Sequence, residues 1–244
     1  MLGLPDGVSV CLFDMDGVVT RTATVHDAAW KEMFDDFLRE YAAQAGGQFV
    51  PFDPVTDYGE YVDGKPRLEG TRAFLKSRSI ELPEGSPVDP PGTWTVWGLS
   101  NRKNDLVLKV LERDGVEVYD GSLRYLTAVR AAGLRTAIVS SSANTEQVLA
   151  AGGIASLFDA RVDAQVAEAR GLHGKPAPDT FLEAASMLGA APSAAAVFED
   201  ALAGVEAGRA GSFGFVVGVD RVGHAAQLRA HGADVVVQDL ADLV

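Results

Sequence analysis

The pattern of hydrophobic and polar positions changes about halfway along the chain. Beyond Gly121, short apolar runs alternate with segments of helical periodicity, a pattern typical of a parallel sheet with crossover helices. The predicted strands are residues 8–13, 136–139, 194–198, 213–219 and 233–237. The first of these lies upstream of this region and is predicted to join the same sheet. The predicted helices are residues 122–132, 179–188, 202–209 and 224–231, and one that starts with a capping box at Asn144-Thr145-Glu146-Gln147.

The segment between the first apolar run and this region has a different pattern. Apolar residues recur at every fourth position from Val25 to Tyr41, which predicts one long helix that ends before Gly46. Further predicted helices are 68–76 and 105–113, and the predicted loops, rich in proline and glycine, are 48–66 and 80–98. The predicted domains are 1–23 as the first strand of a core, 24–112 as a helical insert and 113–244 as the remainder of the core.

Composition and charge restrict the function further. The chain has 244 residues, of which 47% are apolar, enough for a sizeable core. Its net charge of −13 opposes binding to nucleic acid or to anionic membranes, so a phosphorylated substrate must be attracted by local cations. No apolar run reaches the roughly 18 residues of a membrane span, and the N-terminus lacks the pattern of a signal peptide. With Cys11 as the single cysteine and no internal disulfide, cytoplasm is the predicted compartment.

Two carboxylates, Asp14 and Asp16, follow the first apolar run directly. Ligands of open α/β sheets bind at the carboxyl ends of the strands. Two anions this close repel each other unless a cation or a shared proton relieves them, so the pair indicates a Mg²⁺ site, an acid/base role, or both. An isolated Asp-x-Asp is more often a solvated turn, and the interpretation therefore depends on its partners.

Those partners follow other segments of the predicted core. Hydroxyl groups and a helix start at Ser140–Asn144 suit phosphate oxygens, although an ordinary helix cap explains them as well. Lys175 lies in a backbone stiffened by two prolines, and Glu199 and Asp200 form a second acidic pair at a strand end. Acidic pairs at two strand ends, with a lysine and a serine cluster, predict a metal and phosphate site.

Four segments of the chain resemble known signatures. FDMDGVVT, IVSSS, GKPAPDTF and VFEDALAG occur in the order found in the haloacid dehalogenase superfamily of aspartyl-nucleophile phosphotransferases. FDMDGVVTRTATVHDAAW and GKPAPDTFLEAA resemble its β-phosphoglucomutase-like subfamily. The resemblance implies an α/β fold, with a Rossmann-like core, a mainly parallel sheet and an α-helical cap inserted after the first strand.

The resemblance also implies roles for individual residues. Asp14 would attack a phosphoryl group to give an aspartyl phosphate, and Asp16 would act as general acid and base. Lys175 and Ser140 complete the implied catalytic set. Mg²⁺, the implied cofactor, would be held by Asp14, the backbone carbonyl of Asp16, Glu199 and Asp200. The implied substrate-binding residues are Thr22, His26, Gly64, Arg67, Lys103, Ser141, Ser142 and Asn144.

The implied activity is that of a phosphomutase that interconverts β-D-glucose 1-phosphate and glucose 6-phosphate through a 1,6-bisphosphate. The expected partners are a small phosphorylated sugar and glucose 1,6-bisphosphate, with no nucleic acid, no membrane and a monomeric chain. Three departures concern the sugar: Asp63 and Ala143 replace lysines of the mutases, and Arg21 replaces an aspartate. The alternatives are a sugar-phosphate phosphatase on the same scaffold and a non-catalytic phosphosugar sensor.

Overall fold

The computed structural model describes residues 2–244, which divide into two compact units. The core unit consists of residues 2–22 and Val116–Val244, and the cap unit is Ala23–Gly115. Within the described residues, no helix has both the length and the apolar character needed to cross a membrane.

A six-stranded, fully parallel sheet forms the centre of the core unit. Its strands are β1 (Val10–Phe13), β2 (Arg135–Val139), β3 (Ala160–Val162), β4 (Ala195–Glu199), β5 (Phe215–Val219) and β6 (Val235–Val237). Their spatial order is β3-β2-β1-β4-β5-β6, so β1 lies between β2 and β4. The central strands are almost entirely buried and mostly apolar, as expected for a parallel sheet covered on both faces.

The register of the three central strands determines where polar side chains meet. Phe13 of β1 is paired with Ile138 of β2 and with Phe198 of β4. The residues just beyond these three positions therefore leave the sheet at one level and at the same edge. Asp14, Ser140 and Asp200 all belong to this edge.

Helices cover the sheet, and a hydrophobic cluster fills the space between the sheet and these helices. The helices of the core unit are α4 (Asp120–Ala131), α5 (Thr145–Ala151), α6 (Ala164–Arg170), α7 (Asp179–Met187), α8 (Leu202–Ala210) and α9 (Ala225–His231). Apolar side chains of β1, β2 and β4 pack with Phe181 of α7 and Val205 of α8 in this cluster. These helices lie between successive strands in the sequence, which makes the core a Rossmann-like α/β fold.

The cap unit is helical, and its described residues contain no strand. Its long helices are α1 (Ala23–Ala45), α2 (Arg67–Ser77) and α3 (Val96–Asp114), with a short π-helix at Tyr58–Val62. Aromatic rings form much of its core. Phe34 stacks on Trp30 at 5.3 Å and lies 4.0 Å from Phe74 between ring centroids.

The structure confirms the predicted fold class and differs from the prediction at five local points. Strand β3 and helix α6 were not predicted, because β3 has three residues and carries Arg161 at its centre, which breaks the apolar run. The π-helix occupies a segment predicted as a loop.

The other two corrections concern helix starts. Helix α3 begins at Val96, whereas the sequence predicts its start near residue 105. The prediction misses the first turns because Lys103, a charged residue, lies on the buried face, where the periodicity demands an apolar one. The capping box at Asn144 does not form. The Asn144 side chain makes no cap hydrogen bond, and its backbone N–H donates instead to Ser142 Oγ at 3.1 Å.

Candidate active site

The loop after β1, residues 14–20, folds back on itself at once and is named the β1 loop. The Asp14 N–H donates to the Phe198 carbonyl at 2.9 Å, which continues the sheet by one bond. The Thr20 N–H then donates to the Met15 carbonyl at 2.9 Å, and the Gly17 N–H donates to the Thr20 carbonyl at 2.8 Å. This tight turn keeps Asp14 and Asp16 at the edge of the sheet.

Gly17 lets the β1 loop approach the acidic pair after β4. Its φ of +90° is rare for residues with a Cβ, and a Cβ placed there would lie 1.8 Å from Asp200 Oδ2. Glycine at this position therefore allows both the turn and the close approach of Asp200.

Lys175 is buried, and its ammonium group has one acceptor for each of its three protons. Nζ donates to Asp14 Oδ1 at 2.5 Å, to Glu199 Oε1 at 2.6 Å and to the Val139 carbonyl at 3.2 Å. Burial favours the neutral amine, but the charges of Asp14 and Glu199 outweigh it and raise the pKa of Lys175. The residue is therefore a fixed cation at the sheet edge.

The Asp14 carboxyl is subject to opposing influences. Burial raises its pKa well above the usual value, and the Lys175 ammonium acts in the opposite direction. The nearby charges of Glu199 and Asp16 raise the pKa further. A second cation at this place would favour the carboxylate form as Lys175 does, so cation binding and an ionised Asp14 support each other.

Asp14, Glu199 and Asp200 form an acidic group that fits a divalent cation. Each contributes an oxygen, and these oxygens lie within 4.8 Å of one another. Opposite ligands of an octahedral ion with bonds near 2.1 Å are about 4.2 Å apart, so small side-chain movements would close the group around such an ion. The donor set consists of oxygen alone, which hard divalent cations prefer.

Within this group, Glu199 is hydrogen-bonded at both of its carboxylate oxygens. Its Oε1 accepts from Lys175, and its Oε2 accepts from the Ala201 N–H at 2.8 Å. A Cβ at Gly204 would lie 1.7 Å from Oε1, so glycine in α8 leaves the space that Glu199 occupies.

Asp16 has a different environment, made of hydroxyl groups. Thr22 Oγ1 donates to its Oδ1 through a short hydrogen bond, and Ser140 Oγ lies 3.5 Å from its Oδ2. Thr20, which sequence analysis did not single out, lies behind Thr22 with 2.6 Å between the two hydroxyl oxygens. Hydroxyl groups can both donate and accept hydrogen bonds. The signal for Thr20 was its place as the last residue of FDMDGVVT.

The serine loop, Ser140–Asn144, is organised by its own hydroxyl groups. Ser140 Oγ accepts from the Ser142 N–H at 3.1 Å, and Ser142 Oγ accepts from the Asn144 N–H at the same distance. Thr145 Oγ1 donates to the Ser142 carbonyl at 3.0 Å. The loop places Ser140 beside Asp16, and Ser141, Ser142 and Asn144 follow in the same loop.

Four predicted substrate-binding residues lie in the cap unit. Two of them meet there: Lys103, 4% exposed, has its Nζ 2.8 Å from His26 Nδ1 and 4.9 Å from the centre of the Trp30 ring. Gly64, with φ of +70°, lies in the turn before α2, and Arg67 is the first residue of that helix. Burial lowers the pKa of Arg67, which the charge of Asp105 only partly offsets.

The departure at Arg21 has a local explanation. Arg21 Nε lies 2.7 Å from Glu117 Oε1, and its guanidinium lies 4.3 Å from the centre of the Tyr119 ring. The positive charge at this position is thus paired within the core unit. Asp63 ends the π-helix of the cap unit, where its N–H donates to the Tyr58 carbonyl at 2.9 Å.

The chain is similar to known proteins in its sequence and in its fold. The family model of the haloacid dehalogenase-like hydrolases matches residues 8–211. A β-phosphoglucomutase of Mycobacterium bovis is 59% identical over all of this chain and 94% of its own length. A fructose-1-phosphate phosphatase of Escherichia coli is 32% identical over 82% of this chain and 90% of its own. The crystal structure of a β-phosphoglucomutase from Clostridium difficile superposes with a TM-score of 0.74 at 25% identity, covering 97% of this chain and 93% of the other.

These matches span both units and include every strand-end residue described above. The family match, the mycobacterial relative and the Rossmann-like fold all indicate the same family. The chain therefore belongs to the haloacid dehalogenase-like hydrolase family, in its β-phosphoglucomutase-like subfamily.

Proposed function

We propose that this protein is a Mg²⁺-dependent β-phosphoglucomutase that interconverts β-D-glucose 1-phosphate and glucose 6-phosphate. The observation that carries the proposal is that the two carboxylates of the β1 loop have different contacts. Asp14 contacts the buried cation Lys175 and belongs to the acidic group, whereas Asp16 contacts hydroxyl groups. These different contacts support a nucleophilic role for Asp14 and a proton-transfer role for Asp16, the pair that reversible phosphoryl transfer between hydroxyl groups requires.

In the first half-reaction, a carboxylate oxygen of Asp14 attacks one phosphorus of the 1,6-bisphosphate, and the bond from that phosphorus to the sugar oxygen breaks, which leaves an aspartyl phosphate and a sugar monophosphate. The leaving oxygen takes the proton of Asp16. Lys175 stabilises negative charge on the phosphoryl oxygens, and the serine loop supplies further donors. Mg²⁺, held by Asp14, Asp200, Glu199 and the Asp16 carbonyl, would neutralise charge on the transferring group.

In the second half-reaction, β-glucose 1-phosphate takes the place of the first monophosphate. Its free 6-hydroxyl gives its proton to Asp16 and attacks the phosphorus of the aspartyl phosphate. The bond from phosphorus to the Asp14 carboxylate breaks, which restores the carboxylate and forms the 1,6-bisphosphate. Transfer of the other phosphoryl group of this bisphosphate to Asp14, as in the first half-reaction, leaves glucose 6-phosphate. The bisphosphate is therefore both the intermediate and the activator that phosphorylates the free enzyme. Thr22, hydrogen-bonded to Asp16, keeps the acid/base group in place through both proton transfers.

The cap unit supplies the residues that we propose for recognition of the sugar phosphate. The planar guanidinium of Arg67 suits the phosphate that does not react, and Lys103 and His26 suit the sugar oxygens. Gly64 shapes the turn that leads to Arg67. Asp63 replaces a lysine of the mutases. This departure bears on which sugar or anomer the enzyme accepts, before it bears on the type of reaction.

The second candidate is a sugar-phosphate phosphatase, which the similarity to the fructose-1-phosphate phosphatase favours. In that reaction water, rather than a sugar hydroxyl, attacks the aspartyl phosphate. The experiment is to supply β-glucose 1-phosphate with a trace of the 1,6-bisphosphate and to measure glucose 6-phosphate and inorganic phosphate together. The proposal expects glucose 6-phosphate in large excess, and α-glucose 1-phosphate serves as the anomer control.

If phosphate release dominates with many monoesters, the mutase assignment is wrong and the phosphatase stands. A phosphosugar sensor is distinguished by Asp14→Asn, which should abolish turnover while binding of the sugar phosphate persists. A sensor would keep its biological action in that variant. We further propose that the enzyme works as a monomer in the cytoplasm, and light scattering of the purified protein tests the monomer.

A further inference from the structure

The segment after β5, Asp220–His224, touches both loops that carry the acidic group, and it is named the β5 segment. Arg221 Nε donates to the Gly17 carbonyl at 2.8 Å, and Nη1 donates to the Gln238 carbonyl at 2.8 Å. The guanidinium also lies 3.7 Å from the centre of the Tyr119 ring, and the side chain is 16% exposed. The planar fork of Arg221 is therefore held on two sides and across its face.

The Gly17 carbonyl is a sensitive point of the β1 loop. The peptide that joins Gly17 to Asp16 contains the Asp16 carbonyl, which the proposed function assigns to the metal. The N–H of Gly17 is fixed on Thr20, and its Cα lies against the carboxylate of Asp200. With its carbonyl fixed by Arg221 as well, Gly17 cannot rotate without moving Asp16 or Asp200.

The same segment also holds the loop after β4. His224 Nε2 lies 3.1 Å from the backbone carbonyl of Asp200, whose side chain belongs to the acidic group. The Asp220 carboxylate accepts from the N–H groups of Gly223 at 2.7 Å and His224 at 2.8 Å, which fixes the turn between Arg221 and His224. One short segment thus sets the spacing between the two loops that converge on the metal site.

We propose that Arg221 is a positioning residue for the metal site, which acts by fixing the Gly17 peptide of the β1 loop against the loop that carries Asp200. None of the four signature segments contains Arg221. The proposal rests on the proposed function for the identity of the cation and for the Asp16 carbonyl as a ligand, whereas the contacts of Arg221 lie in the protein alone.

The sign of the expected effect separates positioning from simple electrostatics. A cation beside a metal site repels the metal, so removal of the Arg221 charge alone should tighten Mg²⁺ binding. Loss of the contact with Gly17 should weaken it, because ligand positions then fluctuate. Changes in groups that orient metal ligands typically cost 10-fold to 100-fold in affinity or activity.

The experiment compares Arg221→Met and Arg221→Lys with Arg229→Met, which alters an exposed arginine of α9. Titration calorimetry with Mg²⁺ on the full chain, below the melting temperature of each variant, measures metal affinity without turnover. We expect the dissociation constant to rise about tenfold in both Arg221 variants and to stay unchanged in Arg229→Met. The lysine variant keeps the charge but not the fork, so it should not restore affinity.

Unchanged or tighter Mg²⁺ binding in Arg221→Met would overturn the proposal, even if the melting temperature fell. A mutase assay on the same samples should show a lower kcat with an unchanged KM for the sugar phosphate, restored in part by high Mg²⁺. If the wild-type protein binds Mg²⁺ but lacks mutase activity, the proposed function fails while the metal titration still decides the role of Arg221.

Discussion

The core unit and the cap unit hold two cations, the buried Lys175 and the partly buried Arg67, in opposite ways. In the core, the carboxylates of Asp14 and Glu199 more than offset the burial of Lys175, and the pKa of the lysine is raised. In the cap, burial outweighs the charge of Asp105, and the pKa of Arg67 is lowered. Lys175 is neutralised by the protein itself, whereas Arg67 is a cation with incomplete compensation, which suits an incoming phosphate. We therefore propose that the core carries out the reaction and that the cap selects the substrate.

The strongest test of this contrast is Lys175→Met. Removal of the ammonium leaves Asp14 and Glu199 buried without their cation, and breaking a buried ion pair typically costs about 3–5 kcal/mol. We expect a loss of that order in the free energy of unfolding, measured with urea, and a fall in kcat of at least about 10³-fold. Full activity in the folded fraction would contradict a catalytic role for Lys175.

Arg67→Met is the matched change in the cap unit, and it should affect binding rather than folding. Because burial already disfavours the Arg67 charge, we expect the free energy of unfolding to change by less than about 1 kcal/mol. The KM for the sugar phosphate should rise about 30-fold, as expected when a charged contact to phosphate worth about 2 kcal/mol is lost. A collapse of stability like that of Lys175→Met would remove the distinction between the two units.

Thr22→Val tests the hydroxyl environment of Asp16. Valine keeps the shape of threonine but cannot donate to Asp16 Oδ1, so the acid/base group loses its orientation. We expect kcat to fall about tenfold with little change in KM, and steady-state kinetics measure both. Thr127→Val, at an exposed site of α4, is the control. An equal fall in that control would show that the effect is not specific to Asp16.

Arg21→Ala should have the smallest effect. Its ion pair with Glu117 joins side chains that are 49% and 71% exposed, and exposed pairs contribute about 0–1 kcal/mol. We expect kcat and KM within about twofold of the wild type, because the guanidinium is already paired. A large rise in KM would instead show that Arg21 replaces one of the missing lysines at the phosphosugar site.

The residues at the strand ends could be predicted because parallel strands bring their carboxyl ends to one edge of a sheet. To predict Asp14, Ser140 and Asp200 as site residues, only the apolar runs that precede them were required. The ion pair of Lys175 with Glu199 could not be predicted in this way, because it depends on the register of distant strands and on the path of the loop before α7.

The cap unit shows the other limit of sequence analysis. Lys103 occupies a buried position of α3, where helical periodicity expects an apolar residue, and this hid the first turns of the helix. The side chain is accommodated by His26 and Trp30, which lie about 75 residues away in the sequence. Contacts of this kind follow from tertiary packing, which overrides local pattern. Arg221 was missed for the same reason, whereas Thr20 contacts Thr22 only two residues away and lies within the signature FDMDGVVT.

The central claim is that Asp14 and Asp16 have different tasks, and phosphorylation of two variants tests it most directly. Acetyl phosphate has a leaving group that needs little help from a general acid, so transfer to Asp14 does not depend on Asp16. With this donor and Mg²⁺, mass spectrometry should find a phosphate on Asp14 in Asp16→Asn and none in Asp14→Asn. A phosphorylated Asp14→Asn, or an Asp16→Asn variant that gains no phosphate, would contradict the account.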